Sequence, residues 1–179
     1  MNYHFKKLFY LSLLFLTYFV TCSPDPLKYD IFTLGESKTT VISKIKLKYP
    51  NYNISYNHDD GLGGKNNTIS VDLDKSSAII FMFDIDDKLI KIFDMKGILN
   101  ISDYQKLYDE LKEKHGNPYN EKMINTNRIS AIWTFGNIAY TIVLNYERDT
   151  GATISYDDHI LYENYINTLK KRKQFLLNE

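Results

Sequence analysis

The chain has 179 residues, of which 44% are hydrophobic, and its 22 Lys+Arg equal its 22 Asp+Glu. That composition predicts one globular domain with a sizeable core and excludes a disordered chain. The first 21 residues take two of the 22 basic groups and no acid, leaving 20 against 22 acidic, a balance that excludes a general nucleic-acid binder, which needs a basic surface.

Residues 1 to 7, MNYHFKK, form a short positive segment, and LFYLSLLFLTYFV then runs without a charge. A membrane-spanning helix needs about twenty apolar residues, so this shorter run predicts a signal peptide over 1–21 and export from the cytosol. Cys22 is the single cysteine of the chain. It sits where a bacterial lipoprotein presents the thiol that receives diacylglycerol, and FVTC resembles a lipobox. Phe19 and Thr21 stand where a lipobox usually has Leu and Gly or Ala, which leaves ordinary signal-peptidase cleavage or an uncleaved anchor as alternatives. Pro24 and Pro26 disfavour regular structure and predict a tether over 22–33. With Cys22 removed or lipidated, the body has no thiol, so cysteine catalysis, Cys-ligated zinc and a disulfide framework are excluded.

After the tether, LGESKTTVISKIKLKYP predicts an amphipathic helix capped by Ser37, with Val41, Ile42, Ile45 and Tyr49 at helical spacing and Pro50 ending it. NYNISYN and TISVDL follow as strands around the loop HDDGLGGKNN. SAIIFMFDIDDKLIKIFDM predicts a hairpin reversing around Ile85 to Lys88. The pattern then restarts. SDYQKLYDELKEKHGNP predicts a helix with Ser102 and Gln105 in capping-box spacing, Tyr104, Leu107, Tyr108 and Leu111 on one face, and a stop at Gly116 and Pro118. Three strands follow, RISAIWTF, IAYTIVLNY and ATISY, with Gly136-Asn137 as a turn. DHILYENYINTLKKRKQFLL predicts a C-terminal helix over 157–179, with Ile166 and Leu169 facing inward.

The expected fold is therefore α+β: an antiparallel sheet with helices packed on one face, plus the C-terminal helix. The order helix-then-meander occurs twice, over 34–96 and 102–156, within a domain spanning 34–156, which raises an internal duplication.

LGESKTTVISKI followed by FMFDIDDKLIKI resembles the helix-then-meander module of the outer-membrane assembly lipoprotein BamE (SmpA/OmlA). The tandem arrangement is similar to the β-lactamase inhibitor protein. YQKLYDELKEKHGNP with IWTFGNIAYTIVLNY and ATISYDD resembles a module of bacterial envelope proteins. These resemblances imply a small non-catalytic domain that binds other proteins through its sheet or loops.

Among candidate functional residues, Trp133, Phe135, Tyr140, Tyr146 and Tyr156 share one face of adjacent strands by parity, with Ile142, Leu144 and Ile154. Covered by helices, that face is core; uncovered, it is an aromatic recognition surface. Ile132 and Val143 show that the opposite face is not purely polar. HDDG and DDH place His58 beside Asp59 and Asp60, and His159 beside Asp157 and Asp158. Hard oxygen donors of this kind suit a cation in a metal-assisted hydrolase, which is the competing reading. Neither run has EF-hand or zincin spacing, so solvated turns account for them more simply, as polar turn chemistry does for Asp84, Asp86 and Asp87. His115 at a helix end suits the local dipole. KKRK at 170–173 reads as a solvated helix end or a contact for acidic headgroups.

No phosphate loop, nucleophile elbow or dinucleotide fingerprint occurs. The sequence thus predicts a non-enzymatic lipoprotein of the cell envelope, in the outer membrane or periplasm or released outside. Its expected partners are another envelope protein and, through the N-terminal lipid, the membrane. No cofactor, metal or nucleic acid is expected.

Overall fold

A helix whose apolar residues recur every three or four positions leads into four strands, and the same arrangement then repeats. In the computed structural model, which describes residues 26–59, 65–97, 99–125 and 128–177, a two-stranded hairpin, β1 (Lys28–Tyr29) and β2 (Phe32–Thr33), comes first. The first unit comprises α1 (Lys38–Lys48), β3 (Asn53–Asp59), β4 (Lys65–Asp72), β5 (Ala78–Phe83) and β6 (Leu89–Met95). The second comprises α2 (Ile101–His115), β7 (Asn120–Asn125), β8 (Arg128–Phe135), β9 (Tyr140–Glu147) and β10 (Gly151–Asp158), and α3 (His159–Leu177) closes the chain.

Each unit is an antiparallel meander. The two join through their last strands into one eight-stranded sheet of order β3-β4-β5-β6-β10-β9-β8-β7. The central β6–β10 pair is antiparallel and sets Phe93 opposite Ser155 and Ile92 opposite Tyr156. Swapping the two units leaves this strand order unchanged, so the sheet has an approximate two-fold relation at its centre. Both outermost pairs carry a register break, between Asn57 and Asp59 in β3 and between Met123 and Asn125 in β7.

Alternation decides which side chains meet the helices. Ile69, Val71, Ile79, Phe81, Phe83, Ile92, Trp133, Ile142, Leu144, Ile154 and Tyr156 lie in one buried cluster with Val41 and Ile45 of α1 and Tyr104 and Leu111 of α2. A second cluster forms on the opposite face, where Tyr165 and Leu169 of α3 pack on Ile90, with Ile166 against them. A bulge between Met82 and Phe83 makes both clusters possible: it sets Phe83 opposite Leu89, so consecutive residues Leu89 and Ile90 are buried on opposite faces.

The helix ends follow capping chemistry. Ser37 accepts the Thr40 N–H at the start of α1. At α2 the cap is Asn100, whose Oδ1 accepts the Asp103 N–H at 2.9 Å, rather than the expected Ser102, because an Asn two residues earlier offers the same acceptor and begins the helix sooner. Gly116 closes α2 at φ 80°, a backbone conformation that favours glycine, and donates to Lys112 O.

Three further expectations are corrected. The tether over 22–33 is not wholly a tether: β1 and β2 fall within it, Phe32 is 0% exposed against Phe81, and Leu34 N–H donates to Leu27 O. A fourth strand, β7, precedes the three expected in the second unit; NEKMIN lacks alternating hydrophobicity because it lies at the sheet edge, where neither face is deeply buried. Asp157 and Asp158 also belong to β10, so the C-terminal helix begins at His159.

Phe32→Ala is expected to cost about 3–5 kcal/mol, the usual penalty for emptying a buried aromatic site. Urea unfolding of the two forms measures it, and a tether would show no such loss.

Candidate functional site

The aromatic set that parity selects does share one face, but α1 and α2 cover it. Trp133 is 1% exposed and Tyr146 and Tyr156 are each 6% exposed, so these three are core rather than a recognition surface. Their polar tips are tied inside: Trp133 Nε1–H donates to Gly116 O at 2.8 Å and Tyr146 OH to Leu99 O at 3.2 Å. Phe135 and Tyr140 are half-buried against the same cluster. His115 meets the Phe135 ring edge-on at 5.4 Å. Burial lowers its pKa, with Lys114 adding to the effect, and this outweighs the helix-end dipole that favours the protonated ring.

The two His/Asp runs do not meet. His58 and Asp59 lie on β3 at the sheet edge, and β4, β5 and β6 separate it from β10, which carries Asp157 and Asp158. At about 4.8 Å per strand the backbones are roughly 19 Å apart. Asp60, and the side chains of His58 and Asp59, fall outside the described residues. Asp158 Oδ1 accepts the Leu161 N–H at 2.9 Å at the start of α3. Its pKa is raised by burial, an effect that this backbone N–H partly offsets. His159 Nε2 is 3.8 Å from Glu163. Among the described residues no group of three or more His, Cys, Asp or Glu is placed to hold a metal. Asp84 closes its own turn, accepting the N–H groups of Asp86 and Lys88 at 2.9 and 2.8 Å. Asp87 takes a hydrogen bond from Asn67 at 2.7 Å. Cys22 also lies outside the described residues.

The face opposite α1 and α2 has a different character. One cross-strand row runs Ser55, Ser70, Ile80, Phe93, Ser155, Val143, Ile132 and Asn120, one residue from each of the eight strands. Ile80, Phe93, Val143 and Ile132 are half-buried and belong to neither hydrophobic cluster. The flanking row toward Met95, which is 38% exposed, contains Asp72, Ala78, Thr153, Asn145 and Ser130. An apolar stripe rimmed by small polar side chains suits contact with another macromolecule.

α3 covers the other end of this face, and an ion pair lies where the helix and the stripe meet. Lys91 Nζ is 2.9 Å from Asp157 Oδ1. It also stands over two rings, 4.7 Å from the centroid of Phe93 and 5.0 Å from that of Tyr162 in α3. Asp157 Oδ2 takes a further hydrogen bond from Ser155 at 3.2 Å. Lys91 thus ties the C-terminal helix to Phe93 at the sheet centre. Ile132 and Val143 on the wrong parity are the signal of this face in the sequence; Phe93 and Ile80 give none, because an isolated hairpin does not say which of its faces a helix will cover.

No protein family matches the chain, and no curated protein or solved structure matches it either. Among the described residues no helix is long and apolar enough to cross a membrane.

Lys91→Met is expected to destabilise the fold by about 3 kcal/mol, because Asp157 is left buried and unpaired, and the double variant with Asp157→Leu to recover most of the loss. Urea unfolding of the single and double variants checks both. The His115 shift has a definite sign. With the folded pKa depressed, the unfolded chain binds the proton first, so stability falls as pH drops below the ordinary histidine value of about 6.5. His115→Phe should flatten that decline in urea midpoints measured from neutral to mildly acidic pH.

Proposed function

We propose that this protein is an exported, lipid-anchored component of the bacterial cell envelope that binds another protein without catalysing a reaction. The observation that carries the reading is the half-buried apolar stripe of Ile80, Phe93, Val143 and Ile132, which belongs to neither hydrophobic cluster of the described residues and is centred where the two units join. A soluble fold ordinarily buries such a row under a helix, as it does on the opposite face. Half-buried apolar side chains with a polar rim are the usual make-up of a contact patch. The leader and Cys22 supply the expected anchor, and the likeness to envelope modules agrees with a binding role.

Within this reading the protein is either an assembly subunit or an inhibitor of a hydrolase. Stoichiometry separates the two, since an inhibitor forms a tight one-to-one complex and abolishes turnover of its target.

Full-length protein with a C-terminal tag should capture one partner in near-equimolar amount from detergent-solubilised envelope. Phe93→Asp is expected to reduce that capture at least about tenfold, the effect of placing a charge in the middle of an apolar contact. Leu47→Asp, on the solvent side of α1 where Leu47 is exposed, should leave it unchanged. Cys22→Ser should abolish labelling by a radioactive fatty acid and move the protein into the soluble fraction. Equal capture by the Phe93 variant would remove the sheet face from the reading.

A further inference from the structure

The N-terminal hairpin fixes how near a lipid on Cys22 would hold the folded body to its bilayer. Leu34 N–H donates to Leu27 O and Leu27 packs against the main cluster, so the chain belongs to the body from residue 27 onward. The five residue steps from Cys22 to Leu27 reach at most about 18 Å. That is little more than the radius of gyration of about 15 Å expected of a domain this size. One particular side of the body is thereby kept against the membrane.

Rigid contacts define that side. Tyr29 OH donates to Asp94 Oδ2 at 2.9 Å, and Asp94 lies 2% exposed on the core face of β6. Phe32 is buried against Phe81. Lys44 of α1 donates to Ile31 O at 2.6 Å and Lys48 pairs with Asp30, so the C-terminal half of α1 lies along the hairpin turn.

The surface formed there suits a lipid headgroup layer. Leu47 is 81% exposed and Ile31 is 41% exposed. The solvent side of α1 carries Thr39, Thr40, Ser43, Lys46 and Leu47, and every charged residue of the helix is a lysine. The acids beside it are matched, Asp30 by Lys48 and Glu36 by Lys44. Lys28 and Lys46 make no ion pair among the described residues. Exposed apolar side chains among unmatched cations are what an interfacial helix presents to a bilayer, and anionic headgroups attract such cations.

We propose that the hairpin turn and the solvent side of α1 dock on the anionic bilayer surface, Leu47 and Ile31 entering the headgroup layer and Lys28 and Lys46 facing the lipid phosphates. This docking rests on the lipid-anchor reading above. So few groups bind a membrane weakly by themselves, but the tether makes the contact intramolecular, and a weak contact then suffices. The face bearing Phe93, on the other side of the sheet from α1, is turned away from the bilayer and toward a partner.

The test uses the mature lipoprotein carrying Ser43→Cys, one helical turn before Leu47, labelled with a nitrobenzoxadiazole dye. The lipid consumes the Cys22 thiol, so the dye reports position 43 alone. In vesicles of phosphatidylethanolamine and phosphatidylglycerol, a headgroup spin-labelled lipid should quench this dye and leave unquenched one placed by Met123→Cys, which is exposed on β7 at the far edge of the sheet. Leu47→Asp, or Lys28→Glu with Lys46→Glu, should lower the quenching at position 43 at least about threefold, as should replacing phosphatidylglycerol with phosphatidylcholine. All the altered side chains are exposed, so the fold should survive, which an unchanged urea midpoint verifies. Equal quenching at the two positions, or quenching indifferent to both sets of variants, would overturn the docking while fatty acid on Cys22 leaves the anchor standing. Absence of fatty acid on Cys22 would overturn the anchor and the docking together.

Discussion

The pairing of β6 with β10 is the contact on which the rest of this structure depends. Each unit alone is a helix and a four-stranded meander whose last strand has an open edge. Joining those two edges in antiparallel register turns two small sheets into one and sets both leading helices on the same side. It also determines what is left over. The continuous row through Phe93 and Ser155 exists only because of that register. A one-residue slip would exchange the faces of an entire unit, moving Ile92 and Asp94 outward and Phe93 inward. The alternating burial of both strands makes such a slip costly.

Much of the fold is legible in the order of the residues alone. Ser37, Val41, Ile45 and Tyr49 specify α1, and Tyr104, Leu107, Tyr108, Leu111 and Gly116 specify α2, because helical spacing and caps are local properties. The hairpin around Ile85 to Lys88 is equally plain. β7 is not, since an edge strand need not alternate, and NEKMIN does not. Phe32 is hidden for a related reason: a proline-flanked segment looks like a linker until something is found for it to pack against. Asn100 displaces Ser102 as the cap because two acceptors two residues apart both suit a helix start.

The site is harder to read than the fold. Parity places Trp133, Tyr146 and Tyr156 on one face correctly, but nothing local says whether a helix lies over that face. The tyrosine content biases the choice toward an exposed surface. Their hydroxyls are instead accommodated inside by backbone carbonyls and by Asp94, or carried at a cost: burial, with Glu121 nearby, pushes the Tyr104 pKa up to about 12. Asp94 itself escapes notice, because IKIFDM gives no hint that its single acid lies on the buried side. Such a misfit emerges only once strand register assigns every side chain to a face.

The register breaks at the two outer strands bear on a hazard that any open sheet faces. An unpaired strand invites another molecule to lie along it and extend the ladder without limit. Here each outermost pair carries a register break, with the extra residue on the inner strand β4 in the first and on the edge strand β7 itself in the second, where Glu121 and Lys122 are also exposed. A neighbouring copy approaching the β7 flank meets a discontinuity in the hydrogen-bonding groups before it can zip along the strand. The same eight strands that offer one broad surface are thereby discouraged from polymerising into a fibre, and crowding many copies together should leave them as separate particles.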